Sequence, residues 1–287
     1  MKEENSFQKT NINWYPGHME KTKREIKEVL PLIDFVIELV DARIPYSSKI
    51  NGIGNLIKNK PHILVMTKKD LCDENETNKW MLKYKEDGYQ VLLIDAFNTG
   101  DIKALISKLN EFSDTLNLKR KGKGLKPKEI RGLVIGIPNV GKSTLINKIA
   151  KKKVAGTGNI PGFTKKISWL KCGDVLLLDV PGILWPKFES DEVALNLASM
   201  SAIKEEILPV DEVAVHILKK LDMYYKDILK ERYNVTSIQN IEEVYLKIAK
   251  SIGALKDGEM DYNRVSLKVL NDIKNESIKG ITFDRCF

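Results

Sequence analysis

The sequence has no apolar run approaching the ~20 residues needed to span a bilayer, and its polar start, MKEENSFQKT, lacks the apolar core of a signal peptide. Its three cysteines, Cys72, Cys172 and Cys286, show no C-x-x-C spacing, which argues against both a disulfide framework and a zinc site. These absences argue against a membrane-bound protein and against a disulfide-rich secreted one. We therefore expect a cytoplasmic protein without a membrane partner.

The balance of charge is basic. The 287 residues include 47 Lys and Arg against 39 Asp and Glu, a net charge of +8. Such an excess favours a polyanionic partner such as nucleic acid, but it is also common in proteins that are basic for solubility alone. The length suits roughly two domains of about 100 to 200 residues each.

Strand-length apolar runs alternate with helical stretches in the first third of the chain, and a further set of strand-length runs follows, which predicts an α/β fold with a mostly parallel sheet. The runs are DFVIELV (34–40), HILVM (62–66), QVLLI (90–94), GLVIGI (132–137), KISWLKC (166–172) and VLLLDV (175–180). Helices are expected at residues 20–30 and 102–112. The last two strands are separated only by Gly173 and Asp174, as in a hairpin.

From Val193 onward apolar residues recur at helical spacing and strand-like runs disappear. One predicted helix carries the stripe from Ala214 to Ile228, a second runs from Ile241 to Ile252, and a last one stops near Gly280. We predict two domains, residues 1–186 with an N-terminal segment (1–30) and a basic linker (117–131), and a small all-helical domain (187–287).

Within that linker, KRKGKGLKPKEIR (119–131) carries Lys or Arg at seven of thirteen positions. With two glycines and a proline, we expect neither helix nor strand there. The segment is either a solvated connector or a nucleic-acid contact.

GIPNVGKST (136–144) matches the phosphate-loop pattern G-x-x-x-x-G-K-[ST] between a predicted strand and a predicted helix, as that motif requires. Gly136 and Gly141 leave backbone N–H groups free to point at phosphate oxygens. Lys142 is expected to act in catalysis by placing its ammonium between the terminal phosphates, and the Ser143 hydroxyl to bind Mg²⁺. The predicted nucleotide-binding residues of the loop are Asn139, Val140, Gly141, Lys142, Ser143 and Thr144.

Two downstream motifs follow in the order expected for such a site. Asp179 ends the strand VLLLDV in the string DVPG, where a carboxylate would hold the water shell of the metal and Gly182 would sense the last phosphate. Thr164, in NIPGFT, is predicted to be a metal ligand and to act in catalysis by closing on Mg²⁺ only while a triphosphate is bound. Each motif alone is weak, but their order and spacing make the set specific.

The base is the next question, because ATPases and GTPases share all these features. A carboxylate can accept from the guanine N1–H and 2-amino group together, and adenine offers no such donor pair. TKKD (67–70), after the strand HILVM, predicts Thr67, Lys68 and Asp70 as nucleotide-binding, with Asp70 recognising the base and the Lys68 stem lying along it. IDAFNTG (94–100) adds Asp95 and Ala96, whose backbone would meet the base oxygen. Taken alone, TKKD is equally typical of a surface turn.

A phosphate motif that follows the base motif resembles the circularly permuted GTPases. Six motifs are similar to those of the ribosome biogenesis GTPase A family, over residues 13–280: WYPGHM (14–19), DARIP (41–45), TKKDL, GIPNVGKST, PGFT and DVPGI. The family usually has Asn in place of Thr67 and Ser in place of Asp95. The resemblance implies a circularly permuted P-loop GTPase domain followed by a small helical domain that binds RNA.

The same resemblance implies a mechanism and a partner. Ile183 follows the Asp-x-x-Gly string, and an aliphatic side chain cannot orient water, so the family points to His18 as the residue that does so. Asn139 matches a residue that helps to bind K⁺ in similar GTPases. The implied function is GTP and GDP binding with Mg²⁺, and hydrolysis that drives a late step of large ribosomal subunit assembly. We expect a monomer whose partners are the subunit precursor and its rRNA.

Two other hypotheses remain open at this stage. One is a nucleotide-gated RNA-binding scaffold with negligible hydrolysis, which Ile183 favours. The other is a P-loop kinase acting on a small metabolite. His62 and His216 are predicted to be structural.

Overall fold

The computed structural model describes residues 24–50, 52, 54, 57, 60–150, 168–172, 174–182, 184, 188–256 and 259–286. Within them, six strands form one sheet: β1 (Phe35–Asp41), β2 (His62–Thr67), β3 (Gln90–Leu93), β4 (Ile130–Gly136), β5 (Ser168–Cys172) and β6 (Val175–Asp179). Three helices accompany them: α1 (Glu74–Glu86), α2 (Thr99–Lys121) and α3 (Lys142–Ile149). Residues 24–29 are also helical, which agrees with the part of the predicted first helix that lies within the described residues.

The strand order is β3-β2-β1-β4-β6-β5, with every neighbouring pair parallel except the antiparallel pair of β5 and β6. The predicted α/β class and mostly parallel sheet are therefore confirmed. So is the hairpin, in which Cys172 pairs with Val175, although Gly173 lies outside the described residues. The central strand β1 is buried along its whole length, as expected where both faces of a parallel sheet are covered.

The helical region that follows contains α4 (Asp191–Ser199), α5 (Val210–Tyr224), α6 (Lys226–Tyr233), α7 (Ile241–Ile252) and α8 (Tyr262–Lys274). The predicted helices there are present, with one break: the apolar stripe from Ala214 to Ile228 is shared by α5 and α6, which meet at Tyr225. The last helix ends at Lys274, before the predicted stop near Gly280. A two-stranded ribbon of β7 (Leu255–Lys256) and β8 (Glu259–Met260) precedes it.

The prediction for the basic linker is wrong at both ends. Helix α2 runs through Lys121, and β4 begins at Ile130, so the connector is only residues 122–129. Lysine and arginine are good helix formers, and their charges are favourable in the last turn of a helix, which the composition-based expectation neglected. Gly124, at φ +72°, belongs to the reversal that ends the helix.

The apolar core continues from the sheet into the helical region. One cluster joins Phe35 and Leu39 of β1 and Leu145 of α3 to Ile217 of α5 and Val269 of α8. The segment after α8 also returns to the turn that follows β1, where the Phe283 N–H donates to the Arg43 carbonyl at 2.7 Å and Asp284 accepts from the Ser47 N–H at 2.7 Å. None of the helices in the described ranges has the length and hydropathy to cross a bilayer.

Candidate functional site

The loops that carry the predicted motifs lie along one edge of the sheet. Strands β1, β2, β3, β4 and β6 are mutually parallel, so their carboxyl ends meet at that edge. Chain order reverses where β1 lies beside β4, and ligands of open α/β sheets bind at such a switch point. The topology therefore brings together motifs that are far apart in sequence.

The phosphate loop connects β4 to α3. Gly141 has φ +96°, a conformation that residues with a Cβ seldom adopt, and it is the N-cap of α3. Gly136 is needed for a different reason, because a Cβ there would lie 2.8 Å from the Leu39 carbonyl oxygen of β1. The first glycine thus permits close packing of strands, and the second permits the turn.

Lys142 is buried in this loop and its ammonium donates to the carbonyls of Gly136 (3.1 Å) and Ile137 (2.9 Å). Burial lowers the pKa of Lys142 to about 8, although the nearby charge of Asp179 acts in the opposite direction. A phosphate would supply the missing negative charge, so the site has the electrostatics of an anion-binding loop.

Asp179 and Ser143 form a corner next to this loop. Asp179 is buried, and burial raises its pKa, while Lys142 and a hydrogen bond from Ser143 lower it. Its Oδ1 atom has no hydrogen-bond partner within the described residues. A buried, unpartnered carboxylate oxygen beside a hydroxyl fits Mg²⁺, which binds through one or two protein groups together with phosphates and water. The described residues contain no cluster of three or more His, Cys, Asp or Glu side chains suited to a metal.

Gly182, in the DVPG string after β6, packs directly on the phosphate loop. A Cβ at this position would lie 2.6 Å from the Pro138 nitrogen and 2.7 Å from its Cα, too close for any side chain. The DVPG string and the phosphate loop are therefore in direct contact.

A cavity of about 270 Å³ connects the base motif with the phosphate loop. This volume is near the lower end of the roughly 300–1,000 Å³ typical of small-molecule sites. The predicted residues that line it are Thr67, Lys68, Asp70, Asp95, Ala96, Asn139, Val140, Gly141 and Thr144. The structure thus collects at one cavity residues that lie more than forty positions apart in the sequence.

Asp70 follows β2 at the wall of this cavity. Burial and the charge of Asp95 both raise its pKa. A carboxylate at the wall of a cavity is suited to accept from ligand N–H groups. Asp95 itself organises its loop, since its Oδ1 accepts from the Phe97 N–H at 2.7 Å.

Thr67 has a role that sequence reasoning did not foresee. Its hydroxyl is buried and donates to the carbonyl of Val140 at 2.6 Å. Although Thr67 lines the cavity, this hydrogen bond uses its hydroxyl to connect the end of β2 to the phosphate loop. The signal was present in the departure from Asn at this position, but only the fold shows what the hydroxyl contacts.

The sequence also did not reveal the function of Asp41 in DARIP. This buried carboxylate accepts from the Arg43 N–H (3.0 Å), from the Arg43 guanidinium (3.0 and 2.9 Å) and from the Lys68 ammonium (2.8 Å). Lys68 has φ +61° and is held with its side chain against the cavity. Asp41, itself held by Arg43, thereby fixes the lysine of the base motif.

Asn139 contacts a different part of the chain. At φ +58°, its Nδ2 donates to the Ser201 carbonyl at 2.7 Å, which links the phosphate loop to the turn after α4. The K⁺ contact of this residue stays a prediction.

His18 and Thr164 lie outside the described residues, as does Ile183. The other two histidines have structural partners. His62 lies 3.1 Å from Glu38, and His216 contacts the Asn196 amide oxygen at 2.8 Å. Burial lowers the pKa of His216 to about 4.

A phosphate loop after β4, together with a cavity to which the TKKD motif upstream of that loop contributes, defines a P-loop GTPase whose chain order is circularly permuted. The 50S ribosome-binding GTPase family model matches residues 131–247. The ribosome biogenesis GTPase A of Priestia megaterium is 45% identical over 277 residues, which covers 95% of this chain and 96% of the relative. The Thermotoga maritima protein of the same name is 30% identical, over 96% of this chain and 94% of its own.

Solved structures agree. A GNP-bound YlqF from T. maritima matches with a TM-score of 0.66 and 26% identity, over 92% of this chain and 98% of that one, and a GDP-bound YlqF matches equally well, with 25% identity over 91% and 99%. This chain belongs to the ribosome biogenesis GTPase A family. It is a GTP hydrolase that binds guanine nucleotides and acts in ribosome biogenesis, which confirms the predicted class and disfavours both the non-hydrolysing scaffold and the metabolite kinase.

Proposed function

We propose that this GTPase binds a precursor of the large ribosomal subunit in the cytoplasm as a monomer, hydrolyses GTP at a late assembly step, and then leaves. The observation that carries the nucleotide half of the proposal is the cavity shared by Asp70 and the phosphate loop. The ribosomal half is supported by the names of the relatives, which assign them to ribosome biogenesis.

In the proposed complex, Asp70 accepts from the guanine N1–H and 2-amino group, Lys68 lies along the base, and the Ala96 backbone meets its oxygen. Lys142 and the loop backbone bind the phosphates. Mg²⁺, held by Ser143 with Asp179 near its water shell and Thr164 closing on it, supplies positive charge against the phosphates.

Base recognition has a direct test in Asp70→Asn. An Asn side chain still accepts from N1–H, but its amide donates where the carboxylate accepted, which suits the 2-oxo group of xanthine instead of the 2-amino group of guanine. We expect the affinity of the variant for GTP to fall by about a hundredfold, since a mismatched buried polar contact costs about 1–3 kcal/mol for each group. Its affinity for xanthosine triphosphate should rise. Asp87→Asn, at an exposed site on the end of α1, is the matched control. Unchanged GTP affinity in Asp70→Asn would refute the assignment.

For hydrolysis, we propose that His18 positions the attacking water and that Asn139 helps to bind K⁺. The positive charge of K⁺ would stabilise the negative charge of the transition state. In single-turnover assays with ribosomal particles, the rate of GTP hydrolysis by His18→Ala should be about 10²–10⁴-fold lower than that of the native protein, without a change in GTP affinity. Exchanging K⁺ for Na⁺ at constant ionic strength should slow the native enzyme but not Asn139→Ala. Equal cleavage by His18→Ala and the native protein would assign the water to another group.

The folded basic connector supports contact with rRNA. The Asn117 side chain bonds both the N–H and the carbonyl of Lys128, at 3.0 and 3.1 Å, and the Arg120 Nε donates to the Lys126 carbonyl at 3.1 Å. These bonds hold residues 122–128 in a defined reversal on which Lys121, Lys123 and Lys126 are exposed. A preorganised group of cations is suited to bind RNA phosphates.

Sedimentation of cell extract with a non-hydrolysable GTP analogue tests the partner: the protein should comigrate with large-subunit precursors, and its absence from them contradicts the proposal. For the connector, we expect the triple change of Lys121, Lys123 and Lys126 to Gln to reduce the slope of log affinity against log salt by about 0.7–0.9 for each lost phosphate contact. The matched triple change at Lys83, Lys85 and Lys103, all exposed on α1 and α2, should leave the slope unchanged.

A further inference from the structure

One wall of the nucleotide cavity comes from the helical region and not from any GTPase motif. Met200 and Ser201, in the turn after α4, line the same cavity as Asp70. So do Ile273, Lys274 and Glu276, at the end of α8. Nothing in the sequence patterns of the base or phosphate motifs calls for these residues.

Hydrogen bonds hold this wall in place at two points. At the phosphate side, Asn139 donates to the Ser201 carbonyl at 2.7 Å. At the base side, the N–H groups of Gly280 and Ile281 donate to the carbonyl of Leu71, the residue directly after Asp70, at 2.9 and 3.2 Å. The turn after α4 and the segment after α8 are therefore attached to the two motifs that a nucleotide would contact.

The charges of the wall act on the base motif. The carboxylate of Glu276 interacts electrostatically with Asp70, Arg43 and Lys68. Lys274 lies at the cavity with its ammonium 3.3 Å from Glu205, and both side chains are more than a third exposed. An ion pair so exposed is weak, so that the ammonium can exchange Glu205 for another acceptor at little cost.

We propose that the helical region completes the nucleotide pocket and that Lys274 binds the nucleoside part of the nucleotide, packed beside Ile273 and Ser201. This inference rests on the proposed base recognition by Asp70. GDP and GTP share the nucleoside, so both would hold the helical region against the sheet. This coupling between the nucleotide and the helical region differs from coupling through the DVPG string, which would respond only to a terminal phosphate.

The test compares three variants by their dissociation constants for GDP and for a non-hydrolysable GTP analogue. Lys274→Ala should weaken both nucleotides by the same factor, about threefold to tenfold, the range for one lost hydrogen bond. Glu205→Gln should act with the opposite sign and tighten both, by up to about fivefold, because it releases the ammonium. Lys250→Ala, exposed on α7, is the control. Lys274→Ala affinities within twofold of that control, or a loss confined to the GTP analogue, would overturn the proposal.

Hydrogen exchange on the unaltered protein provides a second measurement that does not depend on a variant folding. GDP should slow amide exchange at residues 199–202 and 274–282 as well as in the phosphate loop, and protection confined to the loop and to TKKD contradicts the proposal. Asp70→Ala separates the two levels. If that variant keeps its preference for guanine, the assignment of base recognition to Asp70 is refuted. If it loses the preference while Lys274→Ala binds both nucleotides normally, only the role proposed for Lys274 and the helical region is refuted.

Discussion

Replacing Asp41 by Asn tests the network that fixes the lysine of the base motif. Asp41 is 1% exposed and Arg43 3% exposed, and the Asn variant leaves two cations facing a site without a negative charge. Removing one member of a buried ion pair costs about 3–5 kcal/mol. The Lys68 side chain is 22% exposed and can find water, so we expect the lower end, about 3 kcal/mol. For a chain of this size that corresponds to roughly 6–12 °C in the unfolding midpoint.

The pH dependence has a defined sign. Burial alone would raise the pKa of Asp41, but the charges and hydrogen bonds of Arg43 and Lys68 hold it well below its usual value of 3.8. A depressed carboxyl pKa stabilises the folded state above the unfolded-state value and loses that contribution as the pH falls further. The difference between native protein and variant should therefore be constant from about pH 5 to 8 and shrink below about pH 4.

Urea or thermal unfolding at neutral pH measures this effect, with Asp87→Asn as the control for an exposed carboxylate. Adding Arg43→Met to Asp41→Asn should cost less than the sum of the two single changes, by at least about 1 kcal/mol, because the orphaned guanidinium is gone. A midpoint shift under about 2 °C for Asp41→Asn, or strict additivity in the double variant, would refute the reasoning.

Three further predictions follow from the site. Because burial lowers the pKa of Lys142 to about 8, the protonated fraction of Lys142 and with it the GDP affinity should fall roughly fivefold between pH 8 and 9. The nucleotide-free protein should gain stability over that range, since a depressed lysine pKa means that the unfolded chain binds more protons. Binding titrations should show that Lys142→Arg removes the pH dependence of affinity. Gly182→Ala forces a methyl group onto the Pro138 backbone and should cost about 1–3 kcal/mol in thermal unfolding, while Gly54→Ala, where a Cβ meets nothing within 4 Å, should not. Thr67→Val leaves the Val140 carbonyl without its donor and should weaken GDP binding by about fivefold or more in equilibrium titrations. An unchanged GDP affinity would show that the Thr67–Val140 hydrogen bond does not position the phosphate loop.

The sheet and the phosphate loop were predictable because their signals are local. Six apolar runs of strand length predicted six strands, and the glycine pattern of residues 136–144 specified a turn that only one kind of ligand explains. The failures have a physical cause as well. The glycines and proline of the linker suggested irregular structure, but lysine at the end of α2 favours helix. The contact of Thr67 with Val140 spans 73 residues, and no local pattern predicts a hydrogen bond of that separation.

The helical region contacts the nucleotide cavity both where it begins and where it ends. Ser201 bonds the phosphate loop soon after the region starts, and the segment after Lys274 bonds the residue beside Asp70. A rotation of the helical region relative to the sheet would therefore displace residues that line the cavity. Because linkage between two binding events is reciprocal, a partner that binds and tilts the helical region changes the affinity for GDP by the same factor with which GDP changes the affinity for that partner. Measuring GDP release with and without large-subunit precursors would give this factor, and a value of one would mean that the two surfaces act independently.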